Sequence, residues 1–156
     1  SLVRSKAKQW GIDPGRIGIL GFSAGGHLSA ATATNFDKRH YKPIDAVDQV
    51  SCRPDFAVLV YPAYLIEGDK LTPEIRVGEK SPPTFFAHAG DDRISPENSV
   101  RMYLALRAAK VPAELHVFVD GGHGFGLRPS DKACSTWPAR CAAWMRASGW
   151  LDSSQR

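Results

Sequence analysis

Four short apolar runs alternate with segments that favour helices along this chain of 156 residues. The runs are rich in Val, Ile, Leu and Phe, and they are too short for amphipathic helices, so they predict buried strands. Strands are predicted at residues 16–22, 56–61, 84–89 and 114–119. Helices are predicted at residues 2–10, 24–35, 95–110 and from Trp137 to a stop at Gly149. This alternation predicts a three-layer α/β/α sandwich around a mostly parallel sheet.

Residues that start or stop helices set the expected boundaries. Gly11 is placed to close the first helix, and Ser95–Pro96 supplies an N-cap serine followed by proline at the first helical position. Residues 37–54 are expected to be irregular. Residues 63–82 are expected to form a long polar connection, with a short helix from Pro73.

The composition is typical of one globular domain spanning residues 1–156, with 43% hydrophobic and 23% charged residues. The net charge of +4 comes from 20 basic and 16 acidic residues. The basic residues are scattered, so nucleic acid is not an expected partner. No apolar run approaches the roughly 18 residues of a membrane span.

Cys52, Cys134 and Cys141 are too few for a disulfide framework, and they lack the spacing of a zinc site. They are therefore predicted to be free thiols, and no metal is expected. A bridge between Cys134 and Cys141 would require Cys134 to lie outside the helix of Cys141, because seven helical residues rise about 10 Å.

The segment Gly21–Gly25 has the pattern G-x-S-x-G, and it lies between a predicted strand and a predicted helix. In that context the pattern predicts a strained turn that exposes the hydroxyl of Ser23 as a nucleophile. Glycines at the flanking positions are expected to avoid clashes with neighbouring backbone. The backbone N–H of Ala24, at the start of the helix, is expected to donate to a developing oxyanion. The alternative is a glycine-rich turn in which the serine only caps the helix.

A serine nucleophile needs a base, and the base needs an acid that orients it. Hydrolases with a strand–serine–helix turn supply these residues in the chain order serine, acid, histidine, after later strands. Asp91 and Asp92 follow the third predicted strand, and spacing favours neither over the other. His123 follows the fourth strand within a glycine-rich loop that gives the imidazole room, so it is predicted to be the general base.

The other histidines are weaker candidates for that base. His27 lies one turn into the helix after Ser23 and is expected to pack beside the turn. His88 and His116 lie within predicted strands, where a hydrogen-bonded core or surface role is the default. His40 lies in a polar loop.

Several longer motifs resemble one family of enzymes. GFSAGGHLSAA, RPDFAVLVYP, HAGDDRISPENSVRMYLALRAAKVPAELHVF, GGHGFGL and WPARCAAWMRASGWL are similar, in this order, to the carbohydrate-esterase and acetyl-xylan-esterase-like branch of the α/β-hydrolases. The resemblance implies that Ser23 is the nucleophile, Asp92 the acid and His123 the base. It also implies hydrolysis of short acyl esters, often on sugars, without a metal or other cofactor.

The chain departs from this family in two places. Family members carry further strands and an H-G-G-G-like loop before the helix at residues 2–10, so the chain is expected to be the carboxyl-terminal part of an α/β-hydrolase domain that lacks the first strands. The segment Arg93–Pro96 also lacks the family's usual V-P pair. The expected partner is a small-molecule or carbohydrate ester. The alternatives are a serine peptidase of the prolyl-oligopeptidase type and a non-catalytic module with the same fold.

Overall fold

A four-stranded parallel sheet forms the centre of the computed structural model, which describes residues 1–39 and 41–152. His40 lies outside the described residues, so its predicted loop position is not addressed. The helices are α1 (Leu2–Ser5), α2 (Ala7–Trp10), α3 (Ala24–Thr34), α4 (Glu97–Ala108) and α5 (Trp137–Ala147). The strands are β1 (Gly18–Phe22), β2 (Phe56–Val60), β3 (Ile66–Glu67), β4 (Lys70–Leu71), β5 (Thr84–Ala89) and β6 (Ala113–Phe118).

The sheet has the strand order β1-β2-β5-β6, and every neighbouring pair is parallel. The register aligns the last residues of the strands, because Phe22 pairs with Val60 and Ala89 pairs with Phe118. The segments that follow the four strands therefore meet along one edge of the sheet, where ligands bind in open α/β sheets. The four predicted strands are confirmed, with ends that differ by at most two residues.

Helices cover both faces of the sheet, as the three-layer prediction requires. Along β2, Val58 and Val60 face the cluster that contains Trp137 and Trp144 of α5, whereas Leu59 faces the opposite cluster. That opposite cluster joins α3 and α4 to the sheet through Ala30, Met102 and Leu106. Since successive strand residues point to opposite faces, a strand that is buried on both faces is mostly apolar, as β2 is.

Two local predictions differ from the structure. The helix expected at residues 2–10 is interrupted at Lys6, although Gly11 closes it in the left-handed conformation as expected. The short helix expected from Pro73 is wrong. A hairpin of β3 and β4 precedes a turn there, and backbone groups of the segment bond to α3 instead. The amide of Asn35 donates to the carbonyl of Glu74 at 2.7 Å, and the N–H of Arg76 donates to the Thr34 hydroxyl at 3.2 Å.

The region expected to be irregular contains one short element. A 3-10 helical turn spans Ala46–Gln49, and Asp45 caps it by accepting from the N–H groups of Val47 and Asp48. No helix in the described ranges is long and apolar enough to cross a membrane.

Candidate active site

Ser23 occupies the turn between β1 and α3 with backbone angles of φ 52° and ψ −121°. A positive φ is uncommon for a residue with a side chain and marks local strain. The turn needs glycine at position 21, because a Cβ there would lie 2.1 Å from the carbonyl oxygen of Gly25. The expectation that Gly25 is needed for the same reason is wrong, since a Cβ at Gly25 would meet no atom within 4 Å.

The loop after β6 brings the imidazole of His123 to this serine. His123 Nε2 lies 2.8 Å from the hydroxyl oxygen of Ser23, although 100 positions separate the two residues along the chain. Gly122 and Gly124, on either side of the histidine, have φ values of 64° and 82°. These angles favour glycine, so the glycine-rich pattern of the loop reflects its backbone geometry. The guanidinium of Arg128 also donates to the carbonyl of Gly124 and holds the turn.

Asp92 lies on the far side of the same imidazole. Its two carboxylate oxygens are 3.0 and 2.9 Å from His123 Nδ1, and its side chain is inaccessible to solvent. A carboxylate only accepts hydrogen bonds, so Nδ1 carries the ring proton and donates it, which leaves Nε2 of the neutral ring as an acceptor for the Ser23 hydroxyl. The backbone N–H of Ile94 donates to Asp92 Oδ1 at 2.7 Å and holds the carboxylate in place.

Asp91 points elsewhere, although sequence spacing favoured neither acid. Its Oδ1 accepts from the backbone N–H of Gly122 at 2.8 Å, and the residue is exposed. Asp91 therefore contacts the backbone of the loop, whereas Asp92 contacts the imidazole. The structure thus brings Ser23, His123 and Asp92 together in one hydrogen-bonded row.

Ala24 is the first residue of α3 and is exposed beside Ser23. The N–H groups of a first helical turn have no acceptor within the helix, and they carry the positive end of the helix dipole. Ala24 thus occupies the position, beside Ser23, at which the donor to an oxyanion was predicted.

Tyr61 borders the site, and sequence reasoning assigned it no role. It directly follows β2 and has a φ of 39°. Its ring stands edge-on to the imidazole of His123, with 5.1 Å between centroids, and packs against Phe125 at 4.6 Å. Burial raises the pKa of Tyr61, so the phenol stays neutral. Its position after a parallel strand, at the same edge as Ser23, is the signal that could have identified it.

His88 was expected to have a hydrogen-bonded core or surface role, and the structure places it in the core. It is fully buried, and both ring nitrogens have partners, the hydroxyl of Ser99 at 2.8 Å and the carbonyl of Ile94 at 2.9 Å. Desolvation lowers the pKa of His88, which keeps the ring neutral. Sequence reasoning missed that this ring lies behind Asp92, with Nε2 3.5 Å from Oδ2.

The remaining described histidines lie away from this row. His27 extends from α3 to Glu74, with Nε2 and Oε1 3.2 Å apart. His116 pairs with Glu114 at 2.8 Å within β6. Neither is hydrogen-bonded to Ser23.

The three cysteines are free thiols, as predicted. Cys134 lies in a 3-10 turn (Ala133–Thr136) outside α5, and Cys141 lies within α5. Burial raises the pKa of Cys141 to about 11, so this thiol is a poor nucleophile. Within residues 1–39 and 41–152, no group of three or more His, Cys, Asp or Glu side chains could hold a metal ion.

A cavity of about 210 Å³ borders His123 and includes Arg128, Ser130 and Lys132 in its lining. A larger cleft of about 390 Å³ is lined by residues such as Phe36, Arg39 and Tyr41, and none of the Ser23–His123–Asp92 row contributes to it. We therefore place the candidate active site by its hydrogen-bonded row and not by cavity size.

Comparisons with known proteins agree with this architecture. The acetylxylan esterase of Xylanibacter ruminicola is 30% identical over 152 residues, covering 81% of this chain and 29% of that protein. The crystal structure of an acetyl ester-xyloside bifunctional hydrolase from Caldicellulosiruptor lactoaceticus has a TM-score of 0.84 and 39% identity, covering 96% of this chain and 63% of that one. MGS-M1, an α/β hydrolase enzyme from a Medee basin deep-sea metagenome library, has a TM-score of 0.75 and 27% identity, covering 96% and 61%.

The chain thus spans less than two thirds of the length of each of these relatives. The model of the dienelactone hydrolase family matches residues 2–154, nearly the whole chain. Together with the parallel sheet and its covering helices, this match confirms the predicted resemblance to the α/β hydrolases. The chain belongs to the dienelactone hydrolase family and has an α/β-hydrolase fold.

Proposed function

We propose that this protein is a serine carboxylesterase that hydrolyses short-chain acyl esters, acetyl esters in particular, through an acyl-enzyme on Ser23. The observation that carries the proposal is the continuous row from the Ser23 hydroxyl through the His123 imidazole to the Asp92 carboxylate. The 2.8 Å distance is that of a hydrogen bond along which the Ser23 proton can move to the imidazole, and the 2.9 Å distance is that of a hydrogen bond that orients the imidazole.

The reaction begins when the hydroxyl oxygen of Ser23 attacks the ester carbonyl carbon while its proton moves to His123 Nε2. The carbonyl oxygen becomes an oxyanion, and the N–H of Ala24 donates to it. Asp92 stabilises the imidazolium that forms and keeps the proton on Nδ1. Collapse of the tetrahedral intermediate expels the alcohol, which takes the proton from Nε2. Water then attacks the acyl carbonyl carbon while His123 Nε2 takes its proton. The bond between the acyl carbon and the Ser23 oxygen breaks, this oxygen recovers the proton from Nε2, and the carboxylic acid is released.

The acetyl group and a carbohydrate alcohol are proposed from the relatives. One is named an acetylxylan esterase and another an acetyl ester-xyloside bifunctional hydrolase. An ester mechanism of this kind needs no metal, because the developing charge is met by an amide N–H and the proton is moved by the histidine. We extend the acetyl preference to this chain on the basis of the 39% identity to the bifunctional hydrolase.

Covalent labelling tests the nucleophile directly. A fluorophosphonate probe should react with the full-length gene product, and mass spectrometry of the digest should find the adduct on Ser23. Ser23→Ala should abolish both the adduct and hydrolysis of p-nitrophenyl acetate. An intact, folded protein that forms no adduct and releases no nitrophenol would point to a non-catalytic module.

Substrate comparison separates esterase from peptidase activity. We expect acetate release from p-nitrophenyl acetate and from acetylated xylo-oligosaccharides, with turnover of an aminoacyl-proline amide lower by a factor of 100 or more in kcat/KM, equivalent to about 2.7 kcal/mol or more. Faster cleavage of the amide would favour the prolyl-oligopeptidase type of reaction and overturn the esterase proposal.

A further inference from the structure

His88 is a buried titratable residue that the proposed reaction does not use. It lies in β5, four positions before Asp92, and none of its surface reaches solvent. A polar ring in such a place destabilises the fold unless both nitrogens find partners. Both do, as the contacts to Ser99 and Ile94 show, so the ring is held in one orientation.

The partners also determine where the ring proton lies. The carbonyl oxygen of Ile94, 2.9 Å from Nε2, can only accept, so Nε2 carries the proton. Nδ1 of the neutral ring is then an acceptor, and the hydroxyl of Ser99, 2.8 Å away, donates to it. Ser99 lies near the start of α4, so this helix supplies the partner of the second ring nitrogen of a histidine in the sheet.

The same Ile94 peptide segment connects His88 to the candidate acid. The N–H of Ile94 donates to Asp92 Oδ1 at 2.7 Å, and its carbonyl is the group that His88 holds. In addition, His88 Nε2 lies 3.5 Å from Asp92 Oδ2, so the N–H dipole faces the carboxylate. The hydrogen bonds therefore run from Ser99 through His88 and Ile94 to Asp92, and from there to His123.

We propose that His88, held in its Nε2–H form by the Ile94 carbonyl and anchored at Nδ1 by Ser99, is a positioning residue that fixes the Asp92–Ile94 turn and so orients the Asp92 carboxylate against His123. This inference rests on the proposed esterase function, because orientation of Asp92 matters only if His123 acts as a base. His88 never touches substrate. Its effect reaches the reaction only through Asp92.

Three substitutions separate positioning from packing. His88→Leu keeps most of the volume but removes both hydrogen bonds, and it should lower kcat by about 10- to 100-fold, the range seen when a partner that orients a functional group is lost. KM should stay within about twofold, because acyl binding is untouched. His88→Gln should restore part of kcat, since its amide N–H can reach the Ile94 carbonyl. Ser99→Ala should lower kcat less than His88→Leu does.

Thr84→Val is the matched control. Thr84 is also fully buried in β5, and its hydroxyl donates to the carbonyl of Pro82 at 3.0 Å, at the end of the strand away from the site. Loss of this bond should lower the melting temperature and leave kcat unchanged. Ser99→Ala removes a hydrogen bond to His88, whereas Thr84→Val removes a buried hydrogen bond away from the site. If the two variants lower kcat equally, the bond to His88 has no specific effect on the reaction, and His88 is only a structural residue.

A double-mutant cycle gives the sharpest test. In an Asp92→Asn background, the acid that His88 orients is already lost, so adding His88→Leu should change kcat by less than about twofold.

The proton between His123 Nδ1 and Asp92 should give a strongly deshielded NMR signal that weakens in His88→Leu and Ser99→Ala. Independent, multiplicative effects on kcat would overturn the proposal, and so would an unchanged signal. Absence of esterase activity in the unmodified protein would instead refute the proposed function.

Discussion

Two adjacent carboxylates at the carboxyl edge of the sheet serve one loop in different ways. Asp92 has lost almost all contact with solvent and accepts from the imidazole of His123, whereas exposed Asp91 accepts from the N–H of Gly122, the residue before that histidine. The buried carboxylate of Asp92 is strongly directional, because an orientation that lost its bonds to His123 and to the N–H of Ile94 would leave it unsatisfied. At the scale of single residues, the partner of each oxygen therefore decides the role of each acid.

The paired substitutions Asp92→Asn and Asp91→Asn test this division. Asp92→Asn presents an amide that can stabilise the wrong tautomer of His123, so kcat for p-nitrophenyl acetate should fall by about 10⁴-fold, as in other triads. Asp91→Asn keeps an oxygen that can accept from Gly122, so kcat should stay within about threefold. Steady-state kinetics at one pH measures both. Equal losses, or a larger loss for Asp91→Asn, would contradict the assignment.

The turn between β1 and α3 shows how an element is adapted to hold a strained residue. Ser23 has a positive φ, and its backbone is held by two bonds: its N–H donates to the Val60 carbonyl and its carbonyl accepts from the N–H of Ala63, each at 3.1 Å. A side chain at Gly21 would overlap the carbonyl of Gly25, and one at Gly26 would lie 2.9 Å from Pro62. Small residues are therefore required where the helix approaches its own strand and the neighbouring segment, and not at every glycine of the motif.

Gly21→Ala and Gly25→Ala form a matched pair for this turn. Gly21→Ala should lower the free energy of unfolding by at least about 2 kcal/mol, because backbone atoms must move to relieve the overlap. Gly25→Ala should be neutral or stabilising by up to about 1 kcal/mol, since alanine favours the helix and meets no neighbouring atom. Urea denaturation measures both values. Similar losses in the two variants would show that the space around these positions does not control stability.

The packing of α5 predicts an alkaline loss of stability. Burial, and to a smaller extent Glu114, raises the pKa of Cys141 to about 11, whereas an unfolded thiol titrates near 8.5, so ionisation favours the unfolded chain. The contribution is fully present below about pH 8.5 and is lost as pH rises toward 11. Between pH 8.5 and 11, the free energy of unfolding should therefore fall less steeply in Cys141→Ala than in the unmodified protein.

Cys52→Ala is the control for this pH dependence, because Cys52 is a free thiol that is only half-buried. Its urea denaturation curves, measured over the same pH range, give the effect of removing a thiol that lies outside α5. An unchanged slope in Cys141→Ala would mean that the thiol ionises equally in the folded and unfolded states.

At the scale of the whole molecule, two apolar clusters lie on opposite faces of one sheet. The cluster on the α5 face includes Trp137 and Trp144, and Trp150 packs against it. The cluster on the other face includes Phe86 of β5, which is fully buried, together with residues of α3 and α4. Central strands contribute alternate residues to both clusters, so neither can loosen without disturbing the strands that support the other.

We therefore predict that the described part of the chain unfolds as one cooperative unit. Phe86→Ala should cost about 3–5 kcal/mol. The tryptophan fluorescence transition should shift by the same amount as the circular dichroism transition, although the clustered tryptophans lie on the opposite face. Two separated transitions, with fluorescence unmoved by Phe86→Ala, would indicate independently stable layers.

The strands and most helices were predictable because local chemistry decides them. Residues 84–89 are apolar enough to be buried on both faces of the sheet, and this run lies between Pro83 and Gly90. The segment after Pro73 was predicted wrongly because its backbone groups bond to Asn35 and Thr34, about 40 positions earlier, a contact that no local pattern reveals.

The amino-acid sequence by itself determined the α/β alternation, the turn at Ser23 and the order of serine, acid and histidine, because short-range sterics and burial are written in neighbouring residues. Spacing left Asp91 and Asp92 equivalent and only the family resemblance pointed to Asp92, whereas the tertiary structure shows that Asp92 reaches His123 and that His88 lies behind Asp92. Those outcomes depend on how strands from distant parts of the chain align at one edge of the sheet. Spacing along the chain does not distinguish adjacent side chains of the same type, because their roles depend on what that alignment places beside them.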